Sequence, residues 1–456
     1  DFQLLYALAL SGSDTFATLP QLAAQGALLL AVYGIARRLG AARAPALFSA
    51  LLTGTLSAVA LQAVYTKNDL AVASLLVCAA YFLLVPERLA PWWAGLAVGL
   101  ALGTKLTAFY ALVPLVLIAL AAQKSRRQLA TFALAGALSF AVVGSLGYAL
   151  NIADSGKPLG NHEQIPPPPV DRTVSGSISS AARITYDFVD FSGYGLPATL
   201  REAGGDMGRA VFDVLRIPAN PPESTARPFT FEPNTRADIY DNTYFGPLGV
   251  LLVLPVTAWI LVAWARRRTD RVHGALALAL PLFILAIALS YPYNQSIGRF
   301  LIAPAALSLA LAAPLYRRRS VAAATAGIAA VTVLFVHLND IYKPVGLFGR
   351  PAVWSLPRAD AQALYNDSQR ALVESVKGGS PAGPLGVVLN RADWSYPLFG
   401  DSLDREVAYL PTEDALERAA ALGLRRVVLR QPRADRLDTS GWTVTALREP
   451  WVLASR

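Results

Sequence analysis

The chain has 456 residues, of which 54% are hydrophobic and 16% charged, with a mean hydropathy of +0.42, a balance that excludes an ordinary soluble globular protein of this length. Its net charge of +9 does not point to nucleic acid, because the excess lies in the apolar parts. Residues 1–150 and 244–338 hold 17 basic and 5 acidic residues, against 8 and 12 in 151–243 and 15 and 14 in 339–456. The single cysteine, Cys78, falls inside an apolar run, so it forms no intrachain disulfide and reads as a packing residue.

Phe2–Leu10 is apolar but too short to cross a bilayer, and predicts a helix lying along the outer interface. Hydropathy then places ten spans, near 20–39, 45–65, 69–86, 91–104, 106–122, 128–150, 246–265, 273–290, 300–316 and 320–338. Residues 91–122 read as two spans, because a single helix of that length exceeds the hydrocarbon thickness. The break falls at Gly103-Thr104-Lys105, and broken backbone at that depth needs a cavity or protein cover. Joints of one parity carry Arg37, Arg38, Arg43, Arg88, Lys124, Arg126, Arg127, Arg266, Arg267, Arg268, Arg271, Arg317, Arg318 and Arg319. Only Lys67, Lys105 and Arg299 fall on the other parity. Positive residues in short loops mark the cytoplasmic side, so these three are expected outside.

Two polar regions share that outer parity. Residues 151–243 carry Pro166–Pro169, a Ser/Gly-rich stretch at Ser175–Ser180 and the aromatics Tyr186, Phe188, Phe191 and Tyr194, which suits a partly ordered extracytoplasmic loop. Residues 339–456 predict a small extracytoplasmic α/β domain, with helices over 359–376 and 413–422 and strands at 385–389, 407–410, 426–429 and 442–447. It shows no Gly-rich phosphate fingerprint. The expected fold is therefore a polytopic α-helical core over 1–338 followed by this domain.

The runs DFQLLYALALSGSDTFATLPQLAAQGALLLAVYGIARRLG, GLAVGLALGTKLTAFYALVPLVL, DNTYFGPLGVLLVLP and NQSIGRFLIAPAAL resemble the GT-C superfamily of polytopic glycosyltransferases, in its protein O-mannosyltransferase and aminoarabinose-transferase-like branch. That resemblance implies transfer of a sugar from a polyprenyl-phosphate carrier to a glycan, lipid or protein acceptor at the outer face of a bacterial plasma membrane, by inverting displacement. It also implies a catalytic carboxylate in a first outer loop. Here that loop and its preceding span are expected upstream of Asp1, which is not a methionine, so no visible residue inherits the role.

A prenyl-phosphate sugar needs an apolar groove, cations for its phosphate and a carboxylate to accept a proton. Lys67, Lys105 and Arg299 are the candidate phosphate ligands, although snorkelling from lipid to headgroups explains the same positions without a ligand. In Thr66-Lys67-Asn68-Asp69, one residue suffices to cap the next helix, leaving Asn68 as a substrate contact and Asp69 as a weak catalytic or metal candidate. Asn294, beside Tyr293, Gln295 and Ser296, and the group Asp238, Asp241, Asn242 and Tyr244 are further substrate-binding candidates. His162, His273 and His337 are too scattered for a histidine metal site, and a divalent cation is left open as cofactor. Two other classes compete with the enzyme. One is a non-catalytic subunit of a larger membrane assembly. The other is a lipid or solute transporter, which the lack of ionisable residues inside the spans disfavours.

Overall fold

The computed structural model describes residues 2–159, 173–191, 193–194, 196–226, 229–233, 244–347, 349–364, 367–378, 383–390, 393–400, 402–435, 437–447 and 449–456. The chain divides into two compact units, Asp1–Leu4 with Thr18–Ile341, and Leu5–Ala17 with Tyr342–Arg456. The helices up to Ile341 are α1 (Phe2–Ser11), α2 (Leu19–Arg38), α3 (Arg43–Gly54), α4 (Ser57–Gln62), α5 (Asp69–Leu84), α6 (Ala90–Thr104), α7 (Leu112–Ala121), α8 (Arg126–Ser139), α9 (Leu146–Ser155), α10 (Val174–Tyr186), α11 (Ala198–Val214), α12 (Gly246–Leu248), α13 (Leu254–Ala265), α14 (Arg271–Ser290), α15 (Ile302–Ala312) and α16 (Arg319–Leu338).

Short 3-10 and π segments extend several of these into longer rods. Among the described residues six rods are long and apolar enough to cross a membrane: Leu19–Arg38, Arg126–Gly144, Gly246–Ala265, Arg271–Ser290, Ile297–Arg317 and Arg319–Leu338. Ten spans were expected, and six of that length are shown. The runs Asp69–Leu84 and Leu106–Ala121 are apolar but shorter, α6 has only 15 residues, and 45–65 is broken between α3 and α4, where Leu56 turns extended with ψ 131°. Hydropathy sums composition over a window and is blind to such breaks. Outward-facing Leu22, Leu30, Trp92, Trp93, Trp259, Leu285 and Leu334 are exposed, a surface that suits lipid and not water, and the chain is a multi-pass membrane protein.

Small residues set the closest approach in this bundle. Gly95, Gly99 and Gly103 recur every four residues on α6 and lie against α8 and the π segment after it. A Cβ on Gly99 would stand 2.5 Å from the Gly136 carbonyl oxygen, and one on Gly103 2.1 Å from the Gly144 Cα. Several polar side chains in the bundle bond to backbone: Ser139 donates to Leu96 O at 3.0 Å, Tyr148 to Leu102 O at 3.1 Å, and Ser49 to Leu309 O. The rod that includes α15 is the hub, with 83% of its window buried against 22% for the α16 rod. Arg299 stands in the first turn of that hub, inside the bundle.

In the second unit, β1 (Leu385–Val387), β2 (Val407–Tyr409), β3 (Arg426–Arg430), β4 (Thr443–Ala446) and β5 (Trp451–Ser455) form one sheet in the order β2-β1-β3-β5-β4. The first three are parallel, and β5 runs antiparallel to both β3 and β4. Its helices are α17 (Arg358–Gln362), α18 (Asp367–Gly378), α19 (Ala415–Ala421) and α20 (Gln431–Ala434). The strand β5 was not expected from sequence; it is short and follows Glu449-Pro450, yet it buries Trp451 in the core. Within this unit Asp14 accepts hydrogen bonds from Arg358 at 2.6 Å and Gln362 at 2.8 Å, so the segment after α1 packs with the sheet unit.

Candidate functional site

The site grows from two helix ends. Helix α5 begins at Asp69, and Gln21 of α2 accepts from the Ala71 amide at 3.1 Å, occupying one of the donors that a first turn leaves open. Helix α6 stops because Lys105 adopts an extended conformation, φ −160° and ψ 136°. Asn68 then joins the two ends, its Nδ2 donating to Thr104 O at 3.1 Å. That tie sets the Lys105 side chain beside Asp69, and Nζ donates to Oδ1. The third contributor is the 3-10 turn Ile297–Leu301, entered through an Asx-type turn in which Asn294 Oδ1 accepts from Ser296 N at 2.8 Å. Arg299 Nε donates to Ser296 O at 3.1 Å and stands 3.6 Å from Asp69 Oδ2.

Asp69 is therefore a buried carboxylate, 5% exposed, held between two cations at the N-terminus of a helix. Lys105 also lies over the Phe300 ring, 4.6 Å from its centroid. Lys67 belongs to the same cluster: burial pushes its ammonium down to about 8, Arg299 and Lys105 push the same way, and Asp69 opposes them. Three cations thus surround one anion, leaving a net positive charge that suits a bound phosphate.

The cluster opens on a narrow cleft lined by Asp69, Arg299 and Thr107 on its polar side and by Val72, Leu76, Phe283 and Phe300 on its apolar side. Leu76, Phe283 and Ala303 also line a second, almost wholly apolar slot that runs on between α5, α7, α14 and α15 past Ala111, Leu115, Ile118 and Leu307. Two small voids, one with Asp69, Arg299 and Thr107 on its wall and one almost wholly apolar, thus adjoin at Leu76, Phe283 and Ala303.

A second group forms around Tyr293, and sequence reasoning had missed its Arg183, Asp187 and Asp190. Tyr293 pairs with the loop, accepting from Ala226 N at 2.8 Å and donating to Ser224 O at 2.9 Å through their backbones. Arg183 of α10, fully buried, clamps that loop by donating to Thr225 Oγ1 at 2.7 Å, Ser224 Oγ at 3.0 Å and Ser224 O at 3.2 Å, and lies 4.6 Å from the Tyr293 ring centroid. Asp187 and Asp190 are buried beside it, at 1% and 5% exposure. Burial, with Asp187 nearby, pushes the Tyr293 hydroxyl up, so it stays protonated, and it shares a hydrogen bond with Tyr244. The available signal was the alternation of aromatics and carboxylates in Tyr186-Asp187-Phe188-Val189-Asp190-Phe191.

Of the expected site residues, the structure brings Lys67, Asp69, Lys105 and Arg299 together. Asn68 and Asn294 serve as ties that shape the site's backbone. Tyr244 lies in the second group, near Gly298 and Tyr293. Asp238, Asp241, Asn242, His162 and Pro166–Pro169 lie outside the described residues. Among the described residues no group of three or more His, Cys, Asp or Glu stands where it could hold a metal ion.

The family model of glycosyltransferase family 87 matches residues 3–157, about a third of the chain, a stretch that contains Lys67, Asp69 and Lys105. The match supports a GT-C-type membrane glycosyltransferase. No curated protein and no solved structure matches the chain.

Proposed function

We propose that the protein transfers a sugar from a polyprenyl-phosphate carrier to an acceptor at the outer face of a bacterial plasma membrane, with residues 151–243 and 339–456 on that side. The observation that supports this reading is the convergence of Lys67, Lys105 and Arg299 on Asp69 beside an apolar slot between helices, a chemistry that suits a phosphate head and a prenyl tail on one molecule. A nucleotide sugar has no use for the slot. Lys67, Lys105 and Arg299 bind the phosphate, and Asp69 acts as a positioning residue that holds Lys105 and Arg299 in place. The acceptor oxygen attacks the anomeric carbon, and its proton leaves to a base. The bond from that carbon to the phosphate oxygen breaks, and the electron pair departs on polyprenyl phosphate, where charge grows against fixed cations.

The test is binding of undecaprenyl phosphate to the detergent-solubilised chain as a function of pH. A phosphate ligand needs Lys67 protonated. Its depressed value means that affinity is full below about pH 8 and falls as the pH rises through that region, somewhat higher in the complex because the bound anion favours the charged form. Lys67→Arg keeps its charge and should remove the fall. Equal binding from pH 6 to 10, or tighter binding of nucleoside diphosphate sugars than of the lipid, would overturn the donor assignment.

A further inference from the structure

At the end of the bundle that carries the arginine clusters, an open cleft of about 1030 Å3 lies between the C-terminus of α7 and the joint from α13 to α14. Its lining includes Gln123, Trp264, Arg267, Thr269, Asp270 and Arg271. We infer that this cleft holds the headgroup of an anionic phospholipid, a second lipid site that does not depend on the donor proposed for the Lys67, Lys105 and Arg299 cluster. Helix α14 separates the two: its 20 residues rise about 30 Å, with Arg271 at one end and the 291–299 segment beyond the other.

The polar lining selects an anion. Arg267 and Arg271 supply guanidinium forks that match phosphate oxygens two at a time, and Thr269 and Gln123 add a hydroxyl and an amide as donors. The one carboxylate of the lining, Asp270, is engaged at its own helix end: Oδ1 accepts from His273 N at 3.0 Å and stands 2.9 Å from His273 Nδ1. The excess charge is therefore positive. The apolar surroundings select a lipid over a free anion. Arg271, Leu278, Leu282, Leu285 and Leu289 follow one another along α14 at spacings of seven, four, three and four residues, so they share one helix face, and none of the four leucines is buried. An acyl chain laid along that row places its headgroup in the cleft. Trp264 fixes one wall, since a Cβ on Gly274 would stand 2.5 Å from its ring, and the indole packs against the α14 backbone.

The backbone supplies an independent sign. Helices α7 and α13 both end in a left-handed residue, Gln123 at φ 53° and Arg267 at φ 57°, closed by Lys124 N donating to Ala119 O at 3.1 Å and Arg268 N to Ala263 O at 2.7 Å. Glycine is the residue that such a helix end favours, and Gly156 fills the equivalent position after α9. At both ends that border the cleft, the chain instead keeps a long polar side chain at a cost in stability, and both side chains line the cleft.

The experiment uses the full chain in maltoside detergent, with dioctanoyl phosphatidylglycerol, dioctanoyl phosphatidylcholine and glycerol 3-phosphate as probes and native mass spectrometry as the readout. Arg267→Gly removes a guanidinium and gives the left-handed position its favoured residue. It should melt at or above the parent temperature without lipid, yet bind phosphatidylglycerol at least threefold more weakly. Adding Arg271→Gln should bring the loss to tenfold or more. Arg317→Gln with Arg318→Gln is the control: it removes equal charge at the same end of the bundle but outside the cleft, and should change affinity less than twofold. Equal loss in the control overturns the inference, because the charge would then act only as a diffuse field. Parent affinity in the folded double variant overturns it, as does phosphatidylcholine binding equal to that of phosphatidylglycerol. Glycerol 3-phosphate binding as tightly as the lipid would make the cleft a site for a soluble anion, which also overturns it. Should the neutral variants fail to insert, Arg267→Lys with Arg271→Lys keeps the charge and loses the paired donors; at least a threefold loss is expected, and parent affinity overturns the inference.

Discussion

Replacing Arg299 by alanine is expected to weaken undecaprenyl phosphate binding tenfold to a hundredfold. A desolvated, charge-assisted contact is worth about 1.5–3 kcal/mol, and the guanidinium here stands inside the hub of the bundle, paired with a buried carboxylate. The substitution also leaves Asp69 with one cation fewer, which lets Lys105 relax toward it and away from the ligand. Snorkelling to lipid headgroups, the bland account of this arginine, predicts almost no change in affinity. Isothermal titration or tryptophan quenching with Arg299→Ala, and with Lys105→Ala beside it, separates the two. Unaltered affinity in both variants would remove the phosphate from this site.

The second large effect concerns the bundle. Gly103→Leu should abolish the folded protein or lower its melting temperature steeply, because the new side chain begins 2.1 Å from the Gly144 Cα, where the obstacle is backbone and cannot rotate away. Ordinary overpacking costs about 1–3 kcal/mol, and a clash between two helix backbones lies at or above the top of that range. Gly26→Leu is the control, since nothing stands within 4 Å of its Cβ position and its face of α2 is exposed. Fluorescence-detected size exclusion during a thermal ramp reads both. If Gly103→Leu melts with the parent, α6 and α8 do not pack as described.

These two sites were legible in the sequence to different degrees. Lys67, Lys105 and Arg299 stood out because they alone among the short-loop cations fall on the parity opposite to the positive-inside clusters. Their mutual arrangement was not legible, since the Lys105–Asp69 pair joins residues 36 positions apart through an asparagine tie that has no local pattern. Asp187 and Asp190 were passed over for a related reason: aspartates in a polar loop are normally solvated, and only tertiary packing buries these two. The glycine repeat on α6 reads as mere hydropathy until its partner helix is known. The break at Lys105 was legible from span length and glycine, whereas the one at Leu56 was not, because there the backbone changes direction inside a continuous apolar run.

The pinning of Asp69 beneath Lys105 and Arg299 has a consequence for turnover. Cations fixed in a buried lattice cannot withdraw when chemistry is complete, and with the donor proposed above the spent carrier would bear more negative charge than the donor it came from. The enzyme should then hold its product longer than its substrate. Free polyprenyl phosphate is expected to compete at concentrations below the donor's KM, and carrier departure, not bond breaking, would set the steady-state rate.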